Sequence, residues 1–68
     1  MFVIKNVNEE SDSFGMYVED NEGEFTDYTA YLYDAAKFYQ KLYAEEELNC
    51  DEIIVEVTKV NDLWIEKE

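Results

Sequence analysis

Between Lys5 and Lys37 the chain carries nine carboxylates, Glu9, Glu10, Asp12, Glu19, Asp20, Glu22, Glu24, Asp27 and Asp34, and no Lys, Arg or His. A field this one-sided repels itself when the chain compacts, so it is tolerated only where folding is otherwise strong or a cationic partner relieves it. The rest of the chain does not offset it: 18 acidic residues stand against 5 lysines, with no arginine, for a formal charge of -13. High acidity alone would suggest disorder, yet 47% of the residues are hydrophobic, far too many for a solvating acidic tail. The chain therefore reads as a folded globule. At 68 residues it is a single domain, and one of this size buries only about 60% of the surface that its unfolded chain exposes. Six tyrosines, four phenylalanines and Trp64 supply the large buried area per residue that a small core needs.

Cys50 is the only cysteine, so no internal disulfide staples the fold. That favours a reducing compartment, because small secreted domains usually depend on several such bonds. The apolar start at residues 1–5 is too short for a secretory leader, and no segment approaches the roughly 20 apolar residues of a membrane span. A soluble, cytoplasmic protein is expected. Dense negative charge argues against direct binding to nucleic acid or to an anionic lipid surface, both of which repel carboxylates. The expected partner is a basic protein.

There is no proline, no Gly/Ser linker and no internal repeat. Residues 2–7, rich in β-branched side chains, read as a strand, followed by a polar loop over 8–13. Residues 14–20 read as a second strand with Met16 and Val18 on one face and Tyr17 and Glu19 on the other. Asp20-Asn21-Glu22-Gly23 is turn-forming, and 24–28 would return antiparallel. Tyr28, Tyr31, Leu32, Ala35, Phe38, Tyr39, Leu42 and Tyr43 then recur at steps of three and four, the signature of one helical face. The periodicity predicts an amphipathic helix ending near Leu48-Asn49. Its start falls between Thr26 and Asp34, where several caps compete, and is placed at Thr29. Residues 52–60 are the clearest strand, with Ile53, Val55 and Val57 inward and Glu56 and Thr58 outward. Asn61-Asp62 is a turn, and 63–67 adds a fifth strand. The expected architecture is α+β: four or five mainly antiparallel strands with one helix on a face, in the order β-β-β-α-β-(β).

Catalytic chemistry finds little support. Ser11 and Ser13 have no histidine to act as base, Cys50 has none to make it a thiolate, and a single layer of this size rarely offers a cleft that desolvates one of two carboxylates. Cys50 reads as a small semi-buried residue at a helix-to-strand junction. The run Asp20-Asn21-Glu22-Gly23-Glu24 alternates oxygen ligands, but its glycine comes fourth, not sixth, and the later acidic ligand of a calcium loop is missing. One Cys without His makes no structural zinc site, and Gly15 and Gly23 are too isolated to cradle phosphate. No cofactor and no enzymatic activity are expected. Most of the aromatic stripe reads as core, including Tyr43; Tyr17 and Tyr33 divide evenly between core and interface, and Trp64 either seals the core edge or meets a second subunit.

The acidic run has a plain reading, a soluble surface kept apart by repulsion. It also has a sharper one. Alternate residues on a strand recur about every 6.6 Å, and carboxylates one helical turn apart stand about 5–6 Å apart, both on the scale of phosphate spacing. Carboxylates on such a frame can occupy a basic groove by the electrostatics it uses for DNA. Glu9, Glu10, Asp12, Glu19, Asp20, Glu22, Glu24 and Asp27 would form the principal surface, with Tyr17 as a flanking anchor, and Glu45, Glu46, Glu47, Asp51 and Glu52 a second patch.

With its hairpin over 16–28, aromatic helix and strand Asp51-Glu52-Ile53-Ile54, the chain resembles small acidic phage-encoded DNA-mimic inhibitors. These are the inhibitors of uracil-DNA glycosylase, of the histone-like protein HU, and acidic anti-CRISPR proteins. The resemblance lies in composition and element order. It implies a host-cell cytoplasmic location, no catalysis, a capacity to form homodimers, and inhibition by filling a nucleic-acid-binding site. The competing expectation is a protein-protein interaction or oligomerisation domain whose partner meets the sheet edge or aromatic surface, acidity serving only solubility.

Overall fold

The computed structural model describes residues 1–20 and 26–67. Within them the chain forms an α+β fold, one antiparallel five-stranded sheet with a short helix against it. The strands are β1 (Phe2–Asn6), β2 (Tyr17–Asp20), β3 (Asp27–Thr29), β4 (Glu52–Val60) and β5 (Leu63–Glu66), and the helix is α1 (Lys41–Glu46). Their order across the sheet is β3-β2-β1-β4-β5. The central position suits β1, because its consecutive apolar residues can be covered on both faces; Val3 and Ile4 are fully buried. Its register with β4 runs unbroken from Phe2↔Glu56 to Asn6↔Glu52.

Side chains alternate across the sheet, and each face carries its own small core. On one face Val3, Tyr17 and Val57 pack with Ala35, flanked by Met1, Leu32, Val55 and Trp64. On the other, Ile4, Val18 and Ala44 pack with Phe2, Tyr28, Phe38 and Ile54 around them. Ala44 is the buried residue of α1; its methyl group lets the helix approach the sheet closely. β4 serves two neighbours, pairing with β1 through its first half and with β5 through residues 57–60. The hairpin between β4 and β5 turns at Asn61 and Asp62, both with positive φ (51° and 65°), the conformation of a two-residue turn that matches strand twist. The sheet curls strongly: the Tyr17 hydroxyl of β2 donates to Glu66 Oε1 of β5 at 3.1 Å, although β1 and β4 lie between their strands.

The largest departure from expectation is the helix. Residues 29–40, periodic as they are, do not form it. Thr29 belongs to β3, Tyr31 is extended (φ -110°, ψ 124°), Leu32–Asp34 makes a single 3-10 turn, and Ala35 is extended again (φ -68°, ψ 144°). The reason lies in the sheet. β1 and β2 are in register at Lys5↔Tyr17; past that point the Ala36 N–H donates to the Val18 carbonyl (2.9 Å), and Phe2 and Phe38 exchange two backbone bonds (2.8 and 2.9 Å). Buried backbone groups demand partners, and this pairing overrides a local helical preference that is weak for tyrosine and phenylalanine. Only residues 41–46 remain helical. Tyr31, Tyr39, Leu42 and Tyr43, expected in the core, are exposed, as is Tyr33.

Smaller corrections follow the same geometry. Ile53 shares a face with Val55 and Val57 but lies beyond the cover of the first core and is 46% exposed. Cys50, expected to be semi-buried, is exposed in the turn before β4. β2 begins at Tyr17, because Gly15 takes φ 80° in the preceding turn. Trp64 packs against the first core, with Lys37 Nζ and Lys59 Nζ 5.0 and 5.8 Å from its ring centre. The described helices include none long and apolar enough to cross a membrane.

Candidate partner-binding surfaces

Successive connections in an antiparallel meander leave the sheet at opposite ends. The loop after β1, which carries Glu9, Glu10 and Asp12, therefore lies at one end, while Glu19, Asp20 and Asp27 close the β2–β3 hairpin at the other. Glu22 and Glu24, with the turn over 21–24, lie outside the described residues. At about 3.3 Å per residue, β2 alone separates the two groups by roughly 13 Å. That exceeds the screening length of about 8 Å at physiological salt. Among the described residues, the acids expected to form one principal surface thus form two groups, each acting on its own surroundings.

The first end gains what the second lacks. The Val7 N–H donates to the Asp51 carbonyl (2.9 Å), and the Asn8 side-chain amide donates to Asp51 Oδ2 (3.3 Å). These bonds tie the acidic loop to the segment joining α1 and β4. Glu9, Glu10, Asp12 and Asp51 are brought to one end, and Glu45, Glu46 and Glu47 lead into it from the last turn of α1. All seven are exposed. The loop is not a slack connection. Asn6 Oδ1 accepts from the Asn8 N–H (2.8 Å), Asn8 Oδ1 from the Glu10 N–H (3.0 Å), and Ser11 Oγ from the Ser13 N–H (3.1 Å). Asn and Ser side chains that take up backbone donors two residues on hold such a turn in one shape.

Two residues expected on the binding surface are not available to it. Glu52 is 5% exposed; its Oε2 accepts the Tyr28 hydroxyl and its Oε1 accepts the Asn49 N–H (2.9 Å). Burial, and then the hydrogen bond to Glu52 and its charge, push the Tyr28 hydroxyl up to about 12. Tyr17 is buried in the first core, and its hydroxyl is likewise pushed up, first by burial and then by Glu66. Both are structural groups, fixed because β1 needs neighbours on each side.

Lys5, Lys37 and Lys67 are engaged elsewhere. Lys5 pairs with Glu66 at 3.0 Å and Lys67 with Glu56 at 3.1 Å. Lys37 Nζ donates to the carbonyls of Leu32 (2.6 Å), Ala35 (2.9 Å) and Tyr33 (3.3 Å). Burial lowers its pKa, Asp34 opposes that shift and Lys59 adds to it. None of the bonds these three lysines make reaches Glu9, Glu10, Asp12 or Asp51.

Two concave surfaces accompany these charges. A groove of about 440 Å³ runs between Val7, Phe14 and Gly15 on one side and Ile53 and Val55 on the other, with Lys5 and Glu66 at its rim. A second, of about 410 Å³, lies beside the stacked rings of Tyr31 and Tyr33 (centroids 5.3 Å apart) and is closed by Leu63 and Trp64. Neither was anticipated from the sequence: Phe14 reads as strand and Ile53 as core, and only the uncovered end of the sheet makes them surface. Comparison with protein-family models, with curated proteins and with solved structures finds no match to this chain.

Proposed function

We propose that this protein is a non-catalytic binding module that occupies the nucleic-acid-binding surface of a basic protein, its acidic end standing in for phosphates. The observation that supports this reading is the convergence of Glu9, Glu10, Asp12 and Asp51 on one end, with Glu45, Glu46 and Glu47 beside them. A hydrogen-bonded loop holds the first three, and a frame fixed in advance lowers the ordering cost of association. The phosphate-like unit is thus a loop and a helix end, not a ladder of alternate residues along a strand. Glu19 and Asp27 form a separate, smaller negative group at the other end.

The test is retention of host proteins on the immobilised chain at low salt, followed by elution with duplex DNA. The reading expects a basic nucleic-acid-binding protein that DNA displaces, and its loss from the variant combining Glu9→Gln, Glu10→Gln and Asp12→Asn. Retention that neither DNA nor that variant changes would refute it. A second reading, a protein-interaction domain without mimicry, is favoured by the exposed, stacked Tyr31–Tyr33 pair together with exposed Tyr39 and Tyr43. Under it Tyr33→Ala removes the partner, acid substitutions leave it bound, and salt has little effect.

A further inference from the structure

Ile53 and Phe14 stand 46% and 52% exposed and face one groove. Val7 is exposed beside them, and Val55 forms the inner wall where the first core ends. The groove has a distinctive electrostatic setting. Its own two cations are already neutralised, Lys5 by Glu66 and Lys67 by Glu56. Val7 and Phe14 lead from either side into the loop that carries Glu9, Glu10 and Asp12, and Ile53 follows Asp51 by two residues along β4. An apolar trough thus opens directly onto the acidic end, the arrangement of a dry interface centre with a charged rim.

We infer that this groove seats an apolar side chain of a basic polypeptide whose flanking lysines or arginines meet Glu9, Glu10, Asp12 and Asp51. The inference rests on the acidic-end reading and adds an anchor to it. A phosphate backbone surrogate alone would bind any basic surface of suitable shape; the groove selects one carrying a large aliphatic residue among its cations. Gly15 lines the groove without a side chain to fill it. A second copy of this chain does not meet the description, since it would bring a further -13 of charge to the same rim.

The experiment titrates the intact protein with a lysine-rich peptide bearing a single central leucine, with its twin carrying alanine there, and with an uncharged twin that keeps the leucine but has serine for lysine. Affinity is read by calorimetry and location by amide chemical shifts. The expected result is about tenfold tighter binding of the leucine peptide than of the alanine twin, equivalent to about 1.4 kcal/mol, with shifts at Val7, Phe14 and Ile53. Phe14→Ala and Ile53→Ser, both at exposed positions, should each bring the leucine peptide down to the alanine twin's affinity and leave that twin unchanged. Equal affinities of the two lysine peptides, both weakened by salt, would overturn the groove and leave the acidic-end reading standing. Binding of the uncharged twin as tight as that of the leucine peptide would overturn the basic occupant and the acidic-end reading together. So would failure of all three to bind.

Discussion

Replacing Tyr28 with phenylalanine tests whether the buried Glu52 carboxylate is held by designed partners or merely tolerated. Glu52 accepts the Tyr28 hydroxyl on one oxygen and the Asn49 N–H on the other. Phenylalanine fills the same space but leaves one carboxylate oxygen short of a partner. A hydrogen bond to a charged group contributes about 1.5–3 kcal/mol, so a loss of about 2 kcal/mol is expected. At about 2.1 cal/mol/K per residue, a chain of 68 residues unfolds with an entropy of about 0.14 kcal/mol/K, and the midpoint should fall by roughly 10–15 °C. Urea unfolding followed by Trp64 fluorescence, with the slope unchanged, measures the free energy independently. A second readout comes from alkali. The phenol titrates near 10.0 when unfolded and is pushed up to about 12 in the fold, so between those values the unfolded chain holds fewer protons. Stability is therefore intact below pH 10 and lost as pH rises toward 12. Tyr28→Phe should flatten that decline, leaving the smaller part that comes from Tyr17, whose hydroxyl is also raised. A loss below about 0.5 kcal/mol at pH 7, with an alkaline decline as steep as in the parent, would refute the idea that this pair anchors β3 to β4.

Ile4→Ala empties a fully buried site between β2 and β4 and should cost about 2–5 kcal/mol, whereas Leu63→Ala, 68% exposed, should cost under about 1 kcal/mol; similar urea midpoints for the two would contradict the assignment of the core. Asp62→Gly relieves a non-glycine residue at φ 65° and should raise stability by about 0.5 kcal/mol, with a lower urea midpoint counting against the turn geometry. The thermal midpoint of the parent should climb as sodium chloride screens the acidic end, while the variant with Glu9→Gln, Glu10→Gln and Asp12→Asn should start higher and climb less. Parallel salt curves would show that these carboxylates do not strain one another.

The parts of the fold that could be read from the residues are those where local pattern and tertiary demand agree. β4 alternates, is rich in β-branched residues and ends at Asn61-Asp62, a dipeptide suited to positive φ, so its bounds and its hairpin with β5 were both legible. The 29–40 segment had the right spacing for a helix, but spacing records only which residues share a face if the helix forms. It carries no information about unmet backbone groups on Phe2 and Val18, and those decided the outcome. For the candidate site the limits were different. Two consecutive hairpin connections must leave opposite ends of a sheet, so the β-β-β order already implied that Glu9, Glu10 and Asp12 could not share a surface with Glu19, Asp20 and Asp27. What lay beyond reach was the pairing of β1 with β4, the contact between distant segments that carries Asp51 and the end of α1 to the first loop. The unit that can meet a basic partner is therefore set by sheet topology and not by the density of acids along the chain. Glu19 and Asp27 of the densest run are excluded from it, while Asp51, 41 residues after Glu10 in the numbering, is included.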